Sequence, residues 1–477
     1  MITISGASHI LIDARTVTSG DLAVSDVVLP SGSARDGAPP HADEVLDASG
    51  CVVTPGLVNA HHHLLQSAFR TLPGTRGAPM THWLTTMGAA YTAVGVDPEL
   101  CALAASVAVA EGLLGGVTTV ADHHLTWPSG ADQTAMAQAS AHAAAGLGAR
   151  LVFVRGSAGG DPEQTALSAE AIVQALLPGV SNGLSADGML QLAVGPAGVH
   201  SDPRETFTLL AEVAARYGLR RRSQANEQVD VAVAAERYGR RPLDLLADWG
   251  WLAPDVTLAH LCGVTSAEIA ALADAGVSAT HAPGCDLPMG WGVAPVAALR
   301  AAGITVGLGT SGGGSNDAGH LLADARLALQ VAPLAPLSAP SRFGAGDPGA
   351  GDSGAGDSGA GDSGAGDSGG GFGSARTLSA IEVLSMATEG SALGLGRAEL
   401  GHLRPGAAAD LCVWDVSGVA DAGVSDPVAG LLWASPGRRP KHVVVAGRVV
   451  VRDGQLVNGD ERVVAGRLRT LVKRAQG

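Results

Sequence analysis

Apolar residues recur along this chain in short runs that each end in polar residues. Eight such runs lie between residues 55 and 340: GLVNAHHH (56–63), VTTVADHH (117–124), ARLVFVRG (149–156), QLAVGPAG (191–198), RRRSQANE (220–227), VTLAHLC (256–262), VSATHAP (277–283) and ITVGLGTSG (304–312). Ala- and Leu-rich stretches of helical length separate them. Eight strands alternating with helices predict an α/β fold, a (β/α)8 TIM-like barrel spanning residues 55–399. Helix punctuation agrees. Asp97-Pro98-Glu99 supplies an N-cap, a first-turn proline and an early carboxylate, and Gly115-Gly116 ends that helix. Thr265-x-x-Glu268 and Ser379-x-x-Glu382 read as capping boxes.

The flanking segments carry a different pattern. Residues 1–54 read as short strands and turns, beginning with the alternating MITISGASHILID. Late runs at ADLCVWD (409–415) and KHVVVAGRVVVRDG (441–454) are strand-like too. Together they predict a small β-sandwich module built from both chain ends, 1–54 with 400–477. Residues 343–372 contain GAGDP followed by four GAGDS pentads. Such a composition buries too little apolar surface to offset the entropy of ordering, so a flexible surface insertion is expected, removable without loss of folding.

Composition narrows the function. In 477 residues, 46% are hydrophobic and 16% charged, enough for a sizeable core. The net charge of −15 argues against nucleic acid or an anionic membrane surface as the main partner. The five cysteines form no CxxC pair. The N-terminus lacks the basic and apolar regions of a signal peptide, and no apolar run is long enough to span a bilayer. A cytoplasmic protein with a small-molecule partner is the expectation. The oligomeric state stays open, a homo-oligomer included.

In a barrel, chemistry gathers where the strands end. Those ends carry His61 and His63, His123 and His124, His200, Gln224 and Glu227, His260, His281 and Ser311. His61 and His63 stand two apart on a strand, so both imidazoles face the same side and form half of a metal site.

With PGLVNAHHHLLQ (55–66), GGVTTVADHH (115–124) and LGHLRPGAAADLCVWD (400–415) in view, the chain resembles the amidohydrolase superfamily. The likeness is to its aromatic aminohydrolases of the 8-oxoguanine and isoxanthopterin deaminase type. The resemblance implies a barrel with a β module, and one divalent metal, zinc or iron, that activates water against a ring carbon bearing an amine. It implies His61 and His63 as metal ligands, Glu227 and His260 as catalytic residues, and Gln66 as a contact to an amide-like ring edge of the substrate.

The chain departs from that pattern at three places. RSQANE (222–227) stands where the family has H-x-H-x-x-E, leaving Gln224 in a ligand position. LGTSG (308–312) stands for L-G-T-D-G, leaving Ser311 where the metal-binding aspartate belongs. HAPGCD (281–286) stands for H-x-P-x-S-N. Arg222 faces the same way as Gln224 on an extended strand, and a guanidinium within about 6 Å of a divalent ion costs several kcal/mol. Arg222 is thus expected to pair with Glu227 or with a substrate anion, and the metal is predicted weak or absent. Three readings follow: an aminohydrolase for an oxo-purine, pterin or similar heterocycle with an altered ligand set; a metal-independent enzyme using Glu227, His260 and Arg222; or a non-catalytic ligand-binding relative. His200 offers a sideways route to a metal site with His61 and His63. The cysteines read as structural.

Overall fold

The structure, a computed structural model, describes residues 1–30, 43–335, 377–435 and 437–476. The GAGDS insertion and the expectation about it lie outside the described residues.

Both chain ends meet in one sheet. Its strands are β1 (Ile2–Asp13), β2 (Thr16–Val24), β3 (Glu44–Asp47) and β4 (Cys51–Pro55) from the start. The barrel adds β5 (Leu57–His63), β6 (Val117–His124), β7 (Arg150–Ser157), β8 (Leu190–Pro196), β9 (Arg220–Ala225), β10 (Val256–His260) and β11 (Ser278–His281). β12 (Val306–Leu308) and β13 (Ser311–Gly312) follow, and β14 (Leu411–Asp415), β15 (His442–Val445), β16 (Arg448–Arg452) and β17 (Gln455–Leu456) return to the terminal sheet.

The terminal sheet runs β17-β16-β15-β14-β4-β1-β2, with β3 beside β1. The expected pairing of late with early strands occurs between β14 and β4, antiparallel from Leu411↔Pro55 to Asp415↔Cys51. This sheet folds around its own core of Ile4, Ile10, Val24, Val53, Val413 and Val444. The last helix, Glu461–Gln476, does not join it. Leu468 buries against the barrel helix Pro98–Leu114 instead, so the end of the 400–477 segment packs on the barrel.

β5 to β12 form a parallel sheet in chain order, and β13 pairs with β5. β12 and β13 are one eighth strand interrupted at Gly309-Thr310, so the sheet closes on itself. Gly309 permits the closure: a Cβ there would sit 2.7 Å from the His61 carbonyl oxygen. Asn59 braces the same joint, donating to Thr310 Oγ1 at 2.8 Å and accepting from the Thr310 amide at 3.2 Å.

Local signals read from sequence hold where the chain is described. Asp97 caps its helix by accepting from the Leu100 amide at 2.8 Å, and both capping boxes form. Barrel and terminal sheet are joined by a buried two-point ion pair, Arg150 to Asp410, at 2.8 and 3.0 Å. No single helix among the described residues is long and apolar enough to cross a membrane.

Candidate active site

The barrel mouth is built by strand ends, and the backbone there is held in an uncommon conformation. Of the eight non-glycine residues with φ in the left-handed region among the described residues, Asn226, His260, Leu261 and Ser311 sit at strand ends of the mouth. Such conformations cost energy that neighbouring structure must hold, and they concentrate where side chains are aimed for function.

β5 and β6 supply one arc. The rings of His61 and His63 lie 4.8 Å apart, edge to face. His123 completes the arc, 5.9 Å from His61 and 6.0 Å from His63. His63 Nδ1 donates to the His123 carbonyl at 2.7 Å, which leaves its Nε2 lone pair free. His61 Nε2 is buried without a partner. Burial removes the charge from all three. It pushes His61 well below the ordinary value, His63 to about 4 and His123 to about 3, with the neighbouring imidazoles adding to the effect.

β9, β10 and the turn after β11 supply the other arc. His260 Nδ1 donates to Asp286 Oδ1 at 2.6 Å, and its Nε2 faces Gln224 Oε1 at 3.0 Å. Glu227 Oε1 stands 3.6 Å from the same Nε2. Burial alone would discharge His260, but the Asp286 and Glu227 carboxylates reverse the effect and hold it above the usual histidine value. Acceptors at both nitrogens favour the protonated ring. Glu227 precedes the helix Gln228–Tyr238 without capping it, and both its oxygens are buried without hydrogen bonds. Burial pushes its carboxyl upward, against the pull of His260 and His200.

Arg222 lies between the arcs. It is buried, and Nη2 donates to the Ala60 carbonyl, while Nη1 has no partner. Among the described residues no ion pair joins it to Glu227, so that expectation is corrected: strand geometry aims the guanidinium across to β5. Burial lowers its pKa to about 9. Ser311 offers a neutral hydroxyl against the Cys285 thiol. His200 is turned away to Asp230, Nδ1 to Oδ1 at 3.2 Å, and does not converge with His61 and His63. His124 bonds the Thr126 carbonyl at 3.0 Å, a loop-fixing role. All five cysteines are free and buried.

A cavity of about 300 Å3 opens beside the first arc, lined by His63, Gln66, Trp83, Tyr91, Asp122 and His123. Gln66 Oε1 accepts from the Gly314 amide at 3.1 Å, and the Tyr91 hydroxyl lies against Gln66 and Thr126. The cavity shares Tyr91, Leu125 and Thr126 with a larger one of about 880 Å3 towards the surface.

A closed parallel barrel with this mouth and a sheet made of both chain ends defines the class: the chain belongs to the amidohydrolase family, whose profile matches residues 52–340 and 355–450. It is 33% identical over 465 residues to an 8-oxoguanine deaminase from Pseudomonas aeruginosa, covering 94% of each chain. It is 30% identical to an isoxanthopterin deaminase from an unknown prokaryotic organism, over 91% of this chain and 88% of the relative. Its fold matches that of atrazine chlorohydrolase from Arthrobacter aurescens TC1 complexed with zinc. There the TM-score is 0.84 and the identity 31%, over 99% of this chain and 100% of the other.

Three members of the site carry no role in the sequence reading. Asp286 is visible there only as a substituted position, and its bond to His260 spans 26 residues. Trp291 packs its ring edge to face on His260 at 5.0 Å, and Tyr91 reaches the cavity from a distant helix.

Proposed function

We propose that the chain is a C–N hydrolase acting on an oxo-purine, pterin or similar aromatic heterocycle, at a site whose metal position is altered. The observation that carries this reading is the Glu227 carboxyl, buried without hydrogen bonds 3.6 Å from His260 Nε2, at the same barrel mouth where a cavity of about 300 Å3 opens beside the first arc. The deaminase activities of the 8-oxoguanine and isoxanthopterin relatives point to the same substrate class.

The donors at the His61–His63 position do not fit a resident divalent cation. A catalytic zinc takes about three protein ligands. His61 and His63 are two neutral imidazoles, the Gln224 carbonyl faces His260, and Ser311 brings no charge. Two neutral donors leave a divalent charge uncompensated in a buried place, with the Arg222 guanidinium close enough to disfavour charge on His61.

The chain's own groups suffice for the proton steps. Water adds through its oxygen to the ring carbon that bears the amine, and Glu227 takes the proton it releases. Glu227 then returns that proton to the departing nitrogen. The C–N bond breaks with its electron pair on nitrogen, ammonia leaves, and the oxygen stays on the ring. Negative charge that develops on the ring is met by the His260 imidazolium and by Arg222 Nη1. Gln66 holds the amide-like ring edge.

The test is ammonia release from a panel of oxo-purines and pterins, with and without a chelator. Turnover that survives the chelator and disappears in Glu227→Gln is expected. Tight binding of a panel member without any turnover would replace this reading with that of a ligand-binding protein.

A further inference from the structure

On the second arc, His260, Cys285 and Asp286 each bring one donor atom to within 4.8 Å of the other two, and all three residues are buried. Close by, polar atoms lack partners that burial ordinarily obliges them to have. Asp286 Oδ2 makes no hydrogen bond, nor does His281 Nδ1, which lies 3.7 Å away from it. A nitrogen, a sulfur and an oxygen converging with two orphaned atoms is an arrangement that packing does not call for. The Cys285 thiol also reaches the hydroxyls of Ser311 and Ser315, so it faces the mouth and not the apolar layer behind β11.

We infer that His260, Cys285 and Asp286 form a site for a soft divalent cation of the zinc class, with His281 as the fourth donor. Charge decides between this place and the first arc. A Cys285 thiolate and an Asp286 carboxylate supply the two charges that offset the ion, and the Glu227 carboxyl 3.6 Å from His260 Nε2 stands on the same side. Two imidazoles at His61 and His63 offset none. Mixed N, S and O donors select zinc over magnesium or calcium, which take oxygen ligands. Coordination releases the Cys285 thiol proton and the proton on the ligating His260 nitrogen to solvent, so loading acidifies a weakly buffered solution, and the loaded site excludes the imidazolium role that the hydrolytic reading gives His260. Cys285 and Asp286 share one short turn after β11, next to the His281 that ends that strand.

The test uses the full chain, stripped with a chelator and loaded with one equivalent of cobalt(II) or zinc(II), with no activity readout, so its outcome is separate from the hydrolytic reading. Cobalt should give a thiolate-to-metal charge-transfer band in the near ultraviolet. That band should vanish in Cys285→Ser, weaken in Asp286→Asn and persist in His61→Ala. Zinc-edge X-ray absorption of the wild-type protein needs no variant to fold, and should show one sulfur at about 2.3 Å. A shell of nitrogen and oxygen alone would overturn the site. So would failure to bind either ion, or binding lost in His61→Ala and kept in Cys285→Ser.

Discussion

Both arcs of the barrel mouth carry buried histidines, yet their proton affinities are shifted in opposite directions. His61, His63 and His123 on β5 and β6 are buried among one another and backbone carbonyls, and burial leaves them neutral. His260 on β10 is buried as fully, but Asp286 and Glu227 raise its proton affinity above the usual histidine value. Burial sets the cost of charge, and close carboxylates can offset it: Asp286 and Glu227 do so for His260, whereas His281, 3.7 Å from Asp286, is still pushed down to about 4. A histidine at a strand end therefore has no fixed meaning in such a barrel. Its role is written by the residue opposite, which on the first arc is another histidine and on the second an aspartate 26 positions away.

The largest effect that would break this contrast is the loss of its proton carrier. Glu227→Gln should cut ammonia release by roughly 100-fold or more, the usual worth of a positioned acid–base group, while leaving ligand affinity within a few-fold. Steady-state assays beside calorimetric titration check both halves. Removing the carboxylate that charges His260 comes next. Asp286→Asn leaves the imidazolium facing a neutral amide, and breaking a buried pair in this way costs about 3 kcal/mol in denaturant unfolding. Nitrogen-15 NMR should show the His260 ring neutral at pH 7 in that variant, while a ring still charged would contradict the assignment.

Making the arcs more alike sharpens the comparison. Gln224→His with Ser311→Asp should raise zinc content at the first arc at least tenfold in affinity, and adding Arg222→His should raise it further. Elemental analysis, with His61→Ala as the control, reads the result. An ion that stays after His61 is removed lies elsewhere.

The smallest effect concerns Asp122, near the end of β6 in the wall of the cavity beside the first arc. Burial raises its carboxyl to about 7, with the Leu64 amide bond pulling the other way. Unfolded, it titrates near 4. Between those values the folded state binds the extra proton, so this group's contribution to stability is full below about pH 4 and falls as pH rises towards 7. Asp122→Asn keeps the acceptor for Leu64. It should flatten that fall and gain roughly 1–3 kcal/mol at pH 8.5, read from unfolding curves across pH. A variant with the wild-type slope would place the proton on another group.

Much of the scaffold was legible because its signals are local. Apolar runs, caps and the two-residue spacing of His61 and His63 depend on neighbours in sequence, and β5 to β13 lie within a few residues of the eight runs read from the pattern. The site was legible as a set of positions and not as a set of bonds. Strand alternation says that Arg222 faces inward, but its guanidinium crosses to the Ala60 carbonyl, 162 residues away, and not to Glu227 five residues on. Asp286 and Trp291 act on His260 through contacts between different strand ends, which no periodicity encodes. The interruption of the eighth strand is likewise set by the approach of His61 to Gly309, a meeting of distant segments.

The junction of β4 with β14 bears on how the protein is made. β4 ends at Pro55, and the first barrel strand, which carries His61 and His63, begins at Leu57. The strand that anchors β4 from its other side spans residues 411–415, about 350 residues further along the chain, and leaves the ribosome long after β4. During synthesis the start of the barrel thus waits with an open sheet edge until nearly the whole chain is out. A truncated product lacking β14 would expose that edge permanently.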